Sequence, residues 1–180
     1  MRILFPSDHG CPTRYDMLSP MNPEHTILNI QQRLQAAFEM GPFGDLDYLP
    51  PAKLRKHGVS SVFGNILGKR SGHIWSSTWC FYQIRILTPP LDRYGAVNFI
   101  CFSNNAQCGK GKHTDTVWDI LAEFCEGHPR FSLNAREGKF AGLHHRYPVG
   151  EYSVFPEDEA FTDLKVLIEE TYPKLNLLKV

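Results

Sequence analysis

The sequence lacks an excess of either positive or negative charge. This balance bears on whether the chain would bind nucleic acid or anionic lipid. It carries 19 Lys and Arg residues against 19 Asp and Glu residues, so its formal net charge is +0. A balanced chain has no overall attraction to nucleic acid or to anionic lipid, because that attraction depends on excess positive charge. The net charge therefore gives no indication of a nucleic-acid partner.

Long hydrophobic runs and a regular cysteine framework are also missing. No apolar stretch approaches the ~20 residues that a membrane helix requires, and the early polar residues predict no signal peptide. The five cysteines are an odd set without the spacing of a disulfide-rich domain. We therefore expect reduced thiols, a cytoplasmic location and no membrane association.

What is present is the composition of an ordinary globular chain. Hydrophobic residues make up 42% of the 180 residues and charged residues 21%, which argues against disorder. There is no internal repeat and no linker long enough to divide the chain. The length suits one domain, so we predict a single globular domain over residues 1–180.

The first helix is predicted from its ends and its apolar spacing. Asn22 is a suitable N-cap and Pro23 suits the first helical position. Gly41 stands where a C-cap glycine is common. Five apolar residues between these ends recur at helical spacing: Ile27, Ile30, Leu34, Ala37 and Phe38.

Two strands are predicted in the middle of the chain. The segment from Ile74 to Leu87 alternates apolar residues with polar ones such as Gln83 and Arg85, so one of its faces should be wet. The segment from Ala96 to Phe102 is apolar on nearly both faces and predicts a central strand. Residues 88–93 predict a loop between them, and we expect the two strands to pair antiparallel.

Two further helices are predicted in the second half. One is capped by Thr114 and ends at Gly127 and Pro129. It carries an apolar stripe of Val117, Ile120, Leu121, Phe124 and Cys125. The other opens at Pro156 and closes at Pro173, since proline interrupts helical hydrogen bonding. Its apolar residues are Phe161, Leu164, Leu167, Ile168 and Tyr172.

The remaining segments have weaker patterns. Residues 51–57 predict a short helix, and residues 59–67 fit either a helical turn or a buried strand. Phe131 and Leu133 indicate a strand. The resulting order predicts an α+β fold, in which three main helices pack on a mixed, largely antiparallel sheet.

One turn points toward a chemistry. The sequence Gly109-Lys110-Gly111-Lys112 stands between the predicted central strand and the helix that starts near Thr114. The first N–H groups of a helix have no intrahelical partner and attract anions. Glycines let the backbone curl into a concave nest, and the lysines add positive charge. The alternative interpretation is a solvated basic loop whose glycines serve only a tight turn.

This segment resembles the pyrophosphate loop of GNAT-type N-acetyltransferases. The family's loop has Arg or Gln, two residues, Gly, one residue, then Gly or Ala. Cys108 stands at its first position, Gly111 at its first glycine and His113 at its final small residue. The resemblance implies that the chain binds acetyl-CoA with seven residues: Cys108, Gly109, Lys110, Gly111, Lys112, His113 and Thr114.

The same resemblance implies transfer of an acetyl group to an amine, carried by a small molecule or a protein. In that family a late Tyr acts as general acid on the leaving thiolate. Here His144 occupies that position within the stretch from Leu143 to Val149, and Tyr147 lies nearby. A histidine is able to transfer protons near neutral pH. The resemblance therefore implies His144 and Tyr147 as candidate catalytic residues.

Other functions remain as alternatives. A Walker A phosphate loop would place glycine at Ala106 and Ser or Thr at His113, so this pattern fails at two positions. A phosphate- or nucleotide-binding enzyme of another fold would use the same turn. The other class is a non-catalytic binding, inhibitory or assembly protein that acts through a macromolecular partner.

A metal site is not expected. Cys108, His113, Cys125 and His128 have suitable ligand types, but a helix from residue 114 to residue 125 separates its ends by ~17 Å. Zinc bonds are only about 2.0–2.3 Å long, so His113 and Cys125 do not reach one ion. The predicted cofactor is acetyl-CoA alone.

Overall fold

The computed structural model describes residues 22–38, 51–53, 58–63, 78–87, 93–103, 114–133, 140–148, 151 and 154–178. These residues form three helices: α1 (Pro23–Phe38), α2 (Thr114–Gly127) and α3 (Glu157–Asn176). They also form six strands: β1 (Ala52–Lys53), β2 (Val59–Phe63), β3 (Thr78–Ile86), β4 (Arg93–Ser103), β5 (Ser132–Leu133) and β6 (Phe140–Pro148). The described part of the chain is therefore α+β, as predicted.

The six described strands form one sheet in the order β1-β2-β3-β4-β6-β5. Each neighbouring pair is antiparallel. The prediction of a mixed sheet is therefore wrong for the described strands, because each of their pairings runs in opposite directions. Strand β4 lies between β3 and β6, which confirms both its central place and its antiparallel pairing with β3.

The start of α1 confirms the predicted cap. The side-chain Oδ1 of Asn22 accepts a 3.0 Å hydrogen bond from the backbone N–H of Glu24. Pro23 is the first helical residue, where its missing N–H costs no intrahelical bond. The predicted apolar residues are buried except Ala37, which is exposed because the helix turns it away from the core.

The other two helices differ from prediction at their ends. Thr114 is the first residue of α2 instead of lying before it. In α3, Pro173 is inside the helix, which continues for three more residues to Asn176. The prediction that Pro173 ends α3 is therefore wrong. Leu175, which follows it, is fully buried, and this packing favours a continued helix over the local effect of proline.

The structure also differs from two predictions for the strands and resolves one segment that the sequence left ambiguous. The short helix predicted for residues 51–57 is wrong at Ala52 and Lys53, which pair with Ser60 and Val59 as β1. The ambiguous segment that follows is a strand at residues 59–63. Arg93, predicted as loop, is the first residue of β4 and pairs with Pro148. Pairing with a neighbouring strand decides such short segments, because local propensity is a weak determinant of strand structure.

The helices and the sheet share one hydrophobic core. Helix α3 contacts α1 and α2 as well as β3 and β4. The hydrophobic core contains buried residues from β3 and from all three helices. They include Tyr82, Ile84 and Ile86 of β3, Ile27, Ile30 and Leu34 of α1, Leu121 of α2, and Leu164, Leu167 and Ile168 of α3. The alternate residues Gln83 and Arg85 are only half-buried, which confirms the predicted two-faced strand. No described helix has the length and apolar character needed to cross a membrane.

Polar side chains inside this core are paired across elements. The hydroxyl of Thr171 donates a 2.6 Å hydrogen bond to the carbonyl of Leu167 within α3. Because that donation uses its only proton, Thr171 accepts the 2.8 Å hydrogen bond from the Tyr82 hydroxyl of β3. This bond ties the middle of the sheet to α3.

Candidate functional site

The predicted pyrophosphate loop falls mostly outside the described residues. Residues 104–113, which include Cys108, Gly109, Lys110, Gly111, Lys112 and His113, are not described, whereas Thr114 is. Both flanks of this segment are described, since β4 ends at Ser103 and α2 begins at Thr114. The Gly-Lys segment therefore connects the central strand to a helix of 14 residues.

His144, the first candidate acid, is half-buried on β6. Its Cα partners are Asn98 of β4 and Ser132 of β5. Successive residues of a strand point to opposite faces, so His144 lies on the face opposite to its core neighbour Leu143. Asn98 precedes the end of β4 by five residues, which places His144 ~17 Å along the strand from Ser103.

Tyr147, the second candidate acid, lies in the hydrophobic core and makes contacts that stabilise the fold. Its side chain is fully buried, and its hydroxyl donates a 2.8 Å hydrogen bond to Oδ2 of Asp163 in α3. Its ring contacts Phe155 edge-on, at 5.5 Å between ring centroids. Tyr147 pairs with Gly95, which is ~27 Å along β4 from Ser103. The structure thus places the two candidate acids on opposite faces of β6.

A polar cluster that the sequence did not predict surrounds Asp163. Arg130 Nη2 lies 3.3 Å from Asp163 Oδ2 and 2.9 Å from Glu159 Oε2. His145 Nε2 lies 3.8 Å from the same Asp163 oxygen. The side chain of Asp163 is only 10% exposed, so its charge depends on Arg130 for compensation and on the Tyr147 hydroxyl for a hydrogen bond. We call Arg130, His145, Tyr147, Glu159 and Asp163 the Asp163 cluster.

The hydrogen bonds of His145 fix its tautomer. Its Nδ1 lies 2.8 Å from the backbone carbonyl of Arg130, and a carbonyl only accepts, so Nδ1 carries a proton. Nε2 of the neutral ring is then an acceptor, and Arg130 Nη2 donates to it across 3.2 Å. The His145 ring therefore contacts Arg130 twice, at its backbone carbonyl and at its guanidinium.

The same neighbours determine the charge state of Arg130. Burial lowers the pKa of its guanidinium, but the charges of Asp163 and Glu159 outweigh burial and raise the pKa above its ordinary value. Arg130 is therefore a permanent cation that two carboxylates neutralise.

A pocket opens beside the cluster, at the end of α2. Its volume is about 290 Å³, and its walls are Gly127, His128, Pro129, Arg130, Phe131, Asp163 and Val166. His128 at its rim donates a 2.9 Å hydrogen bond from Nε2 to the Glu170 carboxylate of α3, and its ring stacks on Phe124. The pocket thus combines apolar walls with one ion pair, which is the usual composition of a small-molecule site.

The sequence offered two weak signals for this cluster. His145 and Tyr147 are two residues apart on a strand, which places them on one face. Asp163 stands within the apolar stripe of α3, between the buried residues Ala160 and Leu167. A carboxylate at a core-facing position requires partners, and this requirement indicates a buried polar contact. The partner Arg130 has no sequence signal, because it belongs to a distant turn.

The described residues contain no group of three or more His, Cys, Asp or Glu side chains arranged to hold a metal ion. No known protein family, curated protein or solved structure matches this chain.

Proposed function

We propose that this chain transfers an acetyl group from acetyl-CoA to an amine, carried by a small molecule or a protein. In this proposal the chain works in the cytoplasm as a single domain. The observation that carries it is that β4 ends at Ser103 and α2 begins at Thr114. The Gly-Lys repeat therefore lies, in sequence, between the central strand and the start of a helix.

The physical basis is the binding of phosphate by backbone N–H groups. The unpaired N–H groups at the start of α2 and the helix dipole both favour an anion there. Gly109 and Gly111 would allow the pyrophosphate to approach the backbone closely. Lys110 and Lys112 would add charge next to Cys108, His113 and Thr114.

The described geometry favours His144 over Tyr147 as the acid of this reaction. The Tyr147 hydroxyl is buried and donates to Asp163, so it is already committed to a core contact. His144 is half-buried and lies nearer to the end of β4 that leads into residues 104–113. His144 would hold the proton that the departing CoA thiolate takes up when the amine has displaced it.

The test is a thermal-shift titration with acetyl-CoA, CoA and ATP. A ligand present at ~100 times its Kd stabilises a protein by about 2.7 kcal/mol, which raises the Tm of a chain of this size by several degrees. The proposal expects a shift with both CoA species and none with ATP. A shift with ATP alone would favour a nucleotide enzyme instead. No shift with any of them would reject phosphate binding and favour the non-catalytic alternative.

A matched pair of variants tests the loop itself. Gly111→Asp places a carboxylate where the pyrophosphate would bind and should abolish the CoA shift by repulsion. Gln32→Glu adds the same charge at an exposed position of α1 and should leave the shift unchanged. If Gly111→Asp binds CoA as well as the parent does, residues 104–113 are not the binding loop.

A further inference from the structure

The pocket at the end of α2 contains an ion pair whose members both retain unused binding atoms. Among the described residues, Asp163 uses Oδ2 both for its hydrogen bond from Tyr147 and for its ion pair with Arg130. Those of the Arg130 guanidinium all use Nη2. A carboxylate has a second oxygen, and a guanidinium has three more N–H donors on Nε and Nη1. Both residues line the pocket, so one acceptor and one donor edge of the pair are left for a ligand that enters it.

Hydrogen bonds from neighbouring residues fix the positions of Arg130 and Asp163. Tyr147 donates to Asp163 Oδ2 at 2.8 Å, and His145 donates to the Arg130 carbonyl at 2.8 Å. Glu159 accepts from Arg130 at 2.9 Å. A site whose polar groups are already positioned loses less entropy when it binds a ligand. Since both residues line the pocket, the pair is a preorganised part of its wall.

The charges of this wall decide which ligand fits. A simple anion near Arg130 would also lie near the carboxylates of Asp163 and Glu159, which repel it. A simple cation near Asp163 would be repelled by Arg130, which is 3.3 Å away. A ligand that carries both charges close together satisfies both members of the pair.

We propose that this pocket binds the zwitterion of an apolar α-amino acid. The carboxylate of the ligand accepts from the Nε and Nη1 edge of Arg130, a geometry that guanidinium favours. The ammonium group donates to Oδ1 of Asp163. In an α-amino acid one carbon separates the two charged groups, which matches an ion pair whose members are in direct contact.

The rest of the pocket fits an apolar side chain. Phe131, Pro129 and Val166 form apolar walls. The volume of about 290 Å³ equals on the order of ten water volumes, which suits one amino acid. Burial of the side chain against these walls gives preference to apolar amino acids over glycine.

This site is separate from the proposed acetyl-CoA site. The pocket lies at Gly127, the last residue of α2, and the Gly-Lys segment precedes Thr114, the first. A helix of this length separates the two by ~20 Å. Amino-acid binding therefore does not depend on acetyl transfer, and each is tested without the other.

The experiment measures binding of L-leucine by NMR titration and calorimetry in the absence of any CoA species. Three analogues each lack one feature: isoamylamine lacks the carboxylate, 4-methylpentanoate lacks the ammonium group, and glycine lacks the side chain. We expect each analogue to bind at least tenfold more weakly than leucine. If leucine does not bind, or if either single-charge analogue binds equally well, the proposal is wrong.

Two variants locate the binding site. Arg130→Gln removes the guanidinium at a half-exposed position and should weaken leucine binding at least tenfold. Lys174→Gln removes a similarly exposed cation that pairs with Glu123 outside the pocket, and it should bind leucine as the parent does. Unchanged binding by Arg130→Gln would overturn the assignment. If that variant does not fold, the analogue series on the parent protein still decides the question.

Discussion

The Tyr147 hydroxyl donates a 2.8 Å hydrogen bond to Asp163 Oδ2, and this bond joins β6 to α3 inside the protein. Both residues are buried, and Asp163 also neutralises Arg130 of the turn after α2. The contact therefore connects three parts of the chain that are far apart in sequence. It also explains why a carboxylate is tolerated in the apolar stripe of α3, since its charge is both paired and hydrogen-bonded.

Removing this hydrogen bond should destabilise the fold measurably. Tyr147→Phe keeps the ring and deletes the donor, so we expect a loss of about 1.5–3 kcal/mol in the free energy of unfolding, as for hydrogen bonds to charged groups. Urea denaturation measures this loss. In an Asp163→Asn background the acceptor is neutral, and the same change should cost less. An equal cost in both backgrounds would show that the charge of Asp163 does not contribute.

The two glycines Gly95 and Gly127 should respond oppositely to alanine. At Gly95, a buried position on β4, an added Cβ would lie 2.0 Å from the carbonyl oxygen of Arg85. We expect Gly95→Ala to cost about 3 kcal/mol or more, because the paired strands must move apart. At Gly127 an added Cβ meets no atom within 4 Å. Gly127→Ala should therefore stabilise α2 by up to ~1 kcal/mol.

Urea denaturation of both variants compares these outcomes under one condition. A mild effect of Gly95→Ala would mean that β3 and β4 are less closely paired at this point than their register indicates.

Replacing the internal proline of α3 should stabilise the protein. Pro173→Ala restores a backbone N–H that reaches the carbonyl of Glu169 and removes the steric conflict of the ring. Pro173 is exposed, so the change leaves no cavity, and we expect a gain of about 1–3 kcal/mol. Thermal unfolding measures it, with the exposed Asn176→Ala as the control. A loss of stability would show that the proline acts mainly by restricting the unfolded chain.

The thiol of Cys125 should make stability depend on alkaline pH. Burial raises its pKa above the ordinary value, so the folded state binds this proton more tightly than the unfolded state does. Its contribution is full below the unfolded pKa of about 8.5 and is lost as pH rises through the folded pKa. The stability advantage of the parent over Cys125→Ser should therefore shrink as the pH rises above the unfolded pKa of about 8.5.

Urea denaturation of parent and variant at pH values below and above about 8.5 measures the difference directly. A difference that stays constant with pH would mean that the Cys125 thiol titrates alike in both states.

Local signals predicted the elements that are defined locally. Asn22 and Pro23 specify the start of α1, and the alternation from Tyr82 to Ile86 specifies β3 with its correct faces. The prediction that α3 ends at Pro173 was wrong. The buried side chain of Leu175 stabilises the continued helix through tertiary packing, which no local sequence pattern contains. The short strand β1 was missed for the same reason, since its pairing with β2 decides it.

The candidate site was harder to predict than the fold. The Asp163 cluster brings together Arg130, His145 and Asp163, which lie on a turn, a strand and a helix. Their contacts depend on how these elements pack, and no fixed spacing in the sequence specifies that packing. His144 and Tyr147 were both proposed from their sequence neighbourhood, but the pleat of β6 separates them onto two faces.

The lengths of the outer strands bear on how the molecule behaves at high concentration. In the described sheet both outermost strands, β1 and β5, contain only two residues each. An outer strand this short presents few backbone groups of its own to the strand of another molecule. The longest strands, β3 and β4, have a neighbour on both sides. The apolar segment from Ala96 to Phe102, whose composition would favour self-association if it were exposed, therefore has a paired strand on each side.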